Sequence, residues 1–314
     1  GWRPTVFNCA GSGEGVYDGV VYSHWERFRG ADSHDVFVSW RRPEAVRERP
    51  NAQEKWLWCH DLHYGNRLTP ELAAEYTKVL GVSQWHADYM KGLYPFLNNL
   101  DFVPNGIDLS RFEGKPSRNR FRFVYASSPD RGLAALLRMW PHIRRMEPMA
   151  ELHIFYGWES FLKTAETGMY DLYRLHDMIV SLGRQPGVIW RGRVGQKQLA
   201  QEFLAADLWA HPTSFLETSC CVAVEAMAAD LKIVTSRCGN IPYIVGDAGL
   251  LVPGNSGSIA YTRVFLPCVF SMMADLTTRM QYSGKGPERA RLFSWGQAMA
   301  KWESLLASPQ RVSA

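Results

Sequence analysis

The chain has 314 residues, of which 46% are hydrophobic and 21% charged, and its formal net charge is +4. This balance excludes a disordered chain and gives enough apolar material for two domains with separate cores. The small charge, carried by scattered arginines, argues against a nucleic-acid-binding protein. In chain order, β-rich runs over 5–8, 35–39, 56–60 and 78–83 predict short strands, with a helix over 70–76. Val103-Pro104-Asn105-Gly106-Ile107-Asp108 then reads as a strand end followed by a chain reversal, the best domain boundary in the sequence.

Beyond it, strands are predicted over 121–125, 151–156, 187–191, 208–211, 232–236 and 249–252. Helices are predicted from Leu133, over 199–205 and over 222–229. Leu133, Leu136, Leu137 and Trp140 fall on one helical face. Such alternation of strand and helix demands a parallel sheet covered on both sides. A closing helix is predicted over 289–306. The expected division is 1–105, 106–285 and 286–314, the last a helix packing back toward the first domain.

In open parallel sheets, ligands sit outside the carboxyl ends of the strands. Three loops of the second domain qualify. Ser127 to Gly132 offers hydroxyls, a helix start and Arg131, whose fork suits phosphate oxygens. In Gly192-Arg193-Val194-Gly195, glycine permits close backbone approach and Arg193 adds charge. Each, taken alone, is equally an ordinary turn. The most informative loop runs from Pro212 to Ala228. Glu217 precedes a predicted helix, Glu225 lies inside it among apolar neighbours, and Thr218 to Cys221 bring backbone N–H groups to a helix start that attracts a diphosphate. A carboxylate at Glu225 needs a partner, and ribose hydroxyls would serve.

Glu217-x7-Glu225 followed by Ala226-Met227-Ala228, Pro104-Asn105-Gly106-Ile107-Asp108, and Pro129-Asp130-Arg131-Gly132 together resemble the retaining family-4 glycosyltransferases of GT-B fold. The resemblance covers residues 78–306 well and the first 77 more loosely. It implies an α/β fold of two Rossmann-like domains with a cleft between them, the N-terminal one incomplete. It also implies sugar transfer from a nucleoside diphosphate, such as a UDP- or GDP-sugar, with retention and without a metal. Glu217 would meet the transferred sugar and Glu225 the ribose. Arg131 would bind the diphosphate with the backbone of Thr218, Ser219 and Cys220, and Gly192 and Arg193 would lie beside the base. His60, followed by Asp61, matches the place where relatives bring a histidine to the reaction. No cofactor is implied beyond the donor. The acceptor would be a glycan, lipid or small molecule.

The sequence departs from the family in three places. Ala126 stands where relatives carry a second basic residue, and Tyr243 where they often carry glutamate. The stretch 2–8 reads as the second strand of the usual first domain, so the opening strand, loop and helix are expected to be missing. The alternative reading is therefore a non-catalytic or impaired nucleotide-sugar-binding protein.

Other classes fit less well. Ala10-Gly11-Ser12-Gly13-Glu14-Gly15 lacks the third glycine of a dinucleotide fingerprint, and no Gly-x-Ser-x-Gly elbow is present. His60, Asp61 and His63 point in divergent directions from a strand end, so a metal site there is not expected. Six cysteines without a Cys-x-x-Cys pair favour reduced thiols and a cytoplasmic location. No apolar run reaches the roughly 18 residues of a membrane span, and no signal peptide is read at the start; peripheral membrane contact stays open.

Overall fold

The computed structural model describes residues 1–9, 13–114, 117–166 and 171–307. The chain forms two units, Gly1–Phe102 and Val103–Ala314.

The first unit opens with β1 (Thr5–Asn8), β2 (Gly15–Tyr17) and β3 (Val20–His24), a three-stranded sheet in the order β1-β3-β2. It continues with β4 (Ser33–Trp40), β5 (Asn51–Trp58), α1 (Pro70–Ala74), β6 (Lys78–Gly81), α2 (Gln84–Leu93) and β7 (Leu100–Phe102). Strands β4 to β7 pair in sequence order as a parallel sheet. Leu57, Val79, Met90 and Leu97 anchor its core. The helices start where side-chain chemistry permits. Thr69 accepts from the Leu72 N–H with Pro70 in the first turn of α1, and Ser83 accepts from the His86 N–H at α2.

Two expectations are corrected here. The strand over 5–8 forms, but it pairs with β3 in the small sheet instead of joining β4–β7. Strand β5 starts at Asn51, because its polar first half pairs with β4 in register from Ser33↔Asn51 onward. The β2–β3 hairpin and α2 are not predicted from the sequence, and β7 is marked only by the strand end read at Val103. The glycine-rich stretch at 10–15 lies partly outside the described residues.

The second unit contains β8 (Arg122–Tyr125), α3 (Leu133–Met146), β9 (Glu151–Ile154), α4 (Trp158–Glu166), α5 (Asp171–Leu182), β10 (Val188–Trp190), α6 (Gln196–Ala205), β11 (Leu208–His211) and α7 (Cys221–Ala228). Then follow β12 (Lys232–Ser236), α8 (Ile241–Val245), β13 (Leu250–Val252), α9 (Ile259–Ala274), α10 (Leu276–Tyr282), α11 (Lys285–Ala290) and α12 (Trp295–Ala307). Its six strands are all parallel, in the order β10-β9-β8-β11-β12-β13. Strand order therefore reverses between β8 and β11, the topological switch point of a doubly wound sheet.

One hydrophobic cluster joins the sheet to α3 and α9 through Leu133, Trp140 and Phe265; another joins it to α6, α7 and α8 through Phe203, Met227 and Ile244. Pro141 inside α3 cannot bond the Leu137 carbonyl, and the Gln185 amide donates to it instead at 2.9 Å.

The predicted closing helix over 289–306 is broken. Ile107 bridges Ser294, its N–H bonds the Phe293 carbonyl at 2.9 Å, and the Trp295 N–H bonds the Ile107 carbonyl at 3.2 Å. These long-range bonds use backbone groups that a continuous helix would need. Among the described residues no single helix is long and apolar enough to cross a membrane. The apolar α9 instead buries Tyr261, Phe265, Val269 and Met272 in the core.

Candidate functional site

The loops leaving β8 and β11 meet at the switch point. After β8, the Tyr125 hydroxyl donates to the Ser128 carbonyl at 2.8 Å and the Arg131 N–H to the same carbonyl at 2.9 Å, a tight turn that presents Arg131. Gly132 has φ +98°, and a Cβ there would stand 2.2 Å from the Pro212 carbonyl oxygen. Only glycine lets the two loops touch.

In the loop after β11, Glu217 is 2% exposed, and the Arg131 guanidinium donates to its Oε2 at 2.7 Å. The same guanidinium lies 4.1 Å from the centre of the Phe215 ring. The Asn240 N–H donates to the Glu217 carbonyl at 2.7 Å. Gly239, with φ +55°, approaches so closely that a Cβ would sit 2.5 Å from the Glu217 nitrogen. Gly239→Ala therefore forces backbone against backbone in a left-handed conformation. We expect it to cost about 3 kcal/mol, a fall of roughly 6–12 °C in Tm. Thermal melting checks this, and an unchanged Tm contradicts it.

Around this ion pair, buried polar atoms go unsatisfied. Glu217 Oε1, Arg131 Nε, both ring nitrogens of His211 and Asn240 Oδ1 have no hydrogen-bond partner among the described residues. Each such group costs about 1–3 kcal/mol if left unmet, and native proteins rarely leave them so. Burial lifts the Glu217 carboxyl above the usual range, against the pull of Arg131. Burial, helped by Arg131, drops His211 to about 3, so its imidazole is neutral. His211, Glu217 and Cys220 each bring one donor atom, all within 4.8 Å of one another. Such donors suit a soft cation, but the Arg131 guanidinium already supplies positive charge to Glu217.

Glu225 sits inside α7, half-buried. Burial raises its carboxyl to about 7, opposed by the positive charge of Arg111. The Cys221 thiol is lifted to about 11 by burial and then by Glu225, with Glu217 contributing less, so this side chain feels both carboxylates.

The sign of the linkage at Glu225 follows from its raised value. The ligand-free fold favours the protonated acid, and the stability this confers is full below the ordinary value of 4.5 and lost as pH rises through about 7. Glu225→Gln removes that loss. We expect it to stabilise the ligand-free protein by about 1–3 kcal/mol at pH 8, discounted for partial exposure, and by little at pH 5. Denaturant melts at the two pH values check this; equal effects at both contradict it.

The structure thus brings Arg131, Glu217 and Cys220 together at the switch point, with Glu225 farther along α7. Thr218, Ser219 and Cys220 lead into that helix, which has no side-chain cap. One expectation is corrected: the Cys221 N–H is not free, since it donates to the Ser219 carbonyl at 3.0 Å. Gly192, with φ +67°, and Arg193 follow β10, the edge strand two positions from β8. They share the carboxyl rim with Arg131 but not its immediate cluster. Arg193 packs near Gly157 of the loop after β9.

His60 belongs to the first unit, just beyond β5. Its N–H donates to the Tyr64 hydroxyl at 3.0 Å, and burial, then Arg41, lowers its imidazole to about 3. Sequence reasoning missed His211, Asn240, Phe215 and Gly239. His211 alone carried a signal: it closes a strand at the rim where ligands bind.

The all-parallel doubly wound second unit, following a first unit that also holds a parallel sheet, is the α/β architecture of the GT-B fold. Solved structures of that fold superpose on most of the chain. The Anabaena HepE protein in complex with UDP and glucose matches 88% of this chain and 78% of its own, at TM-score 0.66 and 18% identity. Sucrose-phosphate synthase from Thermosynechococcus elongatus matches 87% and 73%, at TM-score 0.66 and 16% identity.

Residues 120–264 match the family profile described as Glycosyl transferases group 1. D-inositol 3-phosphate glycosyltransferase of Corynebacterium glutamicum is 31% identical over 137 residues, 43% of this chain and 31% of that protein. Lipopolysaccharide 1,2-N-acetylglucosaminetransferase of Salmonella typhimurium is 27% identical over 215 residues, 64% of this chain and 54% of that protein. The chain spans about a third to a half of the length of these relatives.

Proposed function

We propose that the protein transfers a sugar from a nucleoside diphosphate to an acceptor, with retention at the anomeric carbon and without a metal ion. The observation that carries this reading is the concentration of unsatisfied buried polar atoms on Glu217, Arg131, His211 and Asn240 at the switch point. A polyhydroxylated, phosphorylated ligand carries the hydroxyl donors that Glu217 Oε1 and Asn240 Oδ1 lack and the oxygen acceptors that suit Arg131 and His211. Relatives and neighbours support the donor class, since one is solved with UDP and glucose.

In this reading the diphosphate lies by Arg131 and the uncapped start of α7, where the guanidinium and helix dipole meet its charge. Glu225 accepts from the ribose hydroxyls. Glu217 Oε1 and His211 face the hydroxyls of the transferred sugar. The bond from the anomeric carbon to the phosphate oxygen breaks, and its electron pair leaves with the diphosphate. The acceptor oxygen bonds that carbon from the same face, and its proton passes to the departing phosphate oxygen. Charge growing on that oxygen is stabilised by groups already in place. A second cation beside Glu217 would meet repulsion from Arg131, which supports metal-independent transfer.

The test is a thermal-shift panel of UDP- and GDP-sugars, followed by donor hydrolysis and transfer assays on the ligands that bind. A ligand at one hundred times its Kd adds about 2.7 kcal/mol of stability. Binding with turnover in the presence of a chelator is the expected result. Binding without turnover, or turnover that the chelator abolishes, overturns the reading.

A further inference from the structure

The first unit carries a second cluster, at the carboxyl ends of β4 and β5. Trp40 closes β4 and Trp58 closes β5, and the two are direct partners across the parallel ladder, so their side chains leave the same face. Trp40 is 58% exposed, unusual for the largest apolar side chain. His60 stands edge-on to both rings, with centroids 5.8 Å from Trp40 and 4.5 Å from Trp58. The Arg41 guanidinium lies 5.3 Å from the Trp40 ring centre and bonds Asp61 at 3.0 Å, with both ions partly exposed.

The backbone there is strained. Arg41 adopts φ +62°, a left-handed conformation that a long side chain rarely takes. Its N–H is held by the Trp58 carbonyl at 3.0 Å, and the Arg67 guanidinium donates to its carbonyl at 3.3 Å. Strain retained by surrounding bonds is a mark of functional sites. Here it turns Arg41 back over Trp40 and toward Asp61.

The chemistry of the cluster selects its ligand. A flat, exposed indole face carries negative potential and attracts polarised C–H groups. The rim holds forked donors on Arg41 and a carboxylate acceptor on Asp61, and these two charges cancel. A phosphate or other anion at Arg41 would meet repulsion from the Asp61 carboxylate, which lies 3.0 Å from the guanidinium and is itself partly exposed. A ligand with one apolar C–H face and a girdle of neutral hydroxyls needs no such exchange. A pyranose ring has that form.

We propose that Trp40, Arg41, Trp58, His60 and Asp61 form a binding platform for a neutral saccharide, which serves as the acceptor. The saccharide ring stacks on Trp40, and its hydroxyls bond Asp61 and Arg41. The assignment as acceptor rests on the transferase reading above; the saccharide site itself does not.

The test is direct binding by the full chain, without donor, to an array of neutral mono- and oligosaccharides, with inositol 3-phosphate as the anionic probe. Wild type is expected to bind at least one neutral saccharide, and Trp40→Ala to weaken it at least tenfold, while Trp40→Phe retains most of the affinity. UDP titrated into the same variants reports separately on the second unit and should be unchanged. Where transfer is measured, Trp40→Ala is expected to raise the acceptor KM and leave the donor KM alone. Three results overturn the platform: no neutral saccharide binds, Trp40→Ala binds as wild type does, or inositol 3-phosphate binds in preference through Arg41. Saccharide binding lost in Trp40→Ala, with no nucleotide bound by any variant, upholds the platform and sinks the transferase reading instead.

Discussion

Glu217→Gln is expected to lower the turnover number about 10²–10³-fold while changing the Kd for the nucleoside diphosphate less than about threefold. The reason lies in how the carboxylate is held. Its backbone is clamped by Asn240 and Gly239, and Oε2 is committed to Arg131, which leaves Oε1 buried and unmet. A charge fixed in a dry site interacts strongly with the positive character that grows at the anomeric carbon, and it needs no rearrangement as the bond breaks. Glutamine keeps the shape and a bond to Arg131 but removes that charge. In the proposed pose the diphosphate touches other groups, so its affinity is expected to move little. Steady-state rates beside calorimetric titration of UDP separate the two effects. A loss of affinity as large as the loss of turnover contradicts the assignment.

Glu225→Ala has the opposite signature. It is expected to weaken nucleotide binding about 30–100-fold, or roughly 2–3 kcal/mol, as befits the loss of charge-assisted bonds to two hydroxyls. The wild-type affinity carries a pH dependence with a definite sign. Burial raises the free carboxyl to about 7, and the ionised form is the better acceptor. Wild-type Kd therefore rises as pH falls through about 7, and holds steady above pH 8. The alanine variant has no such step beyond the titration of the nucleotide's own phosphate, which serves as the control. Parallel pH profiles in the two proteins contradict the role.

The stabilisation expected for ligand-free Glu225→Gln comes from the same cause. A half-buried carboxylate with no hydrogen-bond partner among the described residues burdens the ligand-free fold, and under the proposed ribose-binding role function and stability pull against each other at this position.

Much of this was legible in the residues. In the second unit, alternation of short apolar runs with amphipathic stretches fixed strands and helices, since each sheet face had to be covered. Helices α4, α5, α8, α9 and α10 were not predicted, and the predicted closing helix was read through a break whose cause is a bridge from the distant Ile107. Periodicity within a segment does not report such long-range bonds. The first unit was read less well, because β5 begins in the polar run Asn51 to Lys55, which pairs with β4 without looking like a strand.

At the site, Glu217, Glu225 and Arg131 were marked by position at a strand end or helix start. The pairing of Arg131 with Glu217 was not, because it joins loops 86 residues apart in sequence. Gly239 shows the same limit. Its role is to leave room for the Glu217 backbone, a fact about proximity that the residues around it do not announce.

The most direct measurement is a crystal structure of the protein soaked with the UDP- or GDP-sugar that gives the largest thermal shift. The account predicts the diphosphate against Arg131 and the start of α7, a Glu225 oxygen within hydrogen-bond distance of a ribose hydroxyl, and Glu217 Oε1 against the sugar. A nucleotide bound away from the β8–β11 junction, or one whose ribose leaves Glu225 untouched, contradicts it.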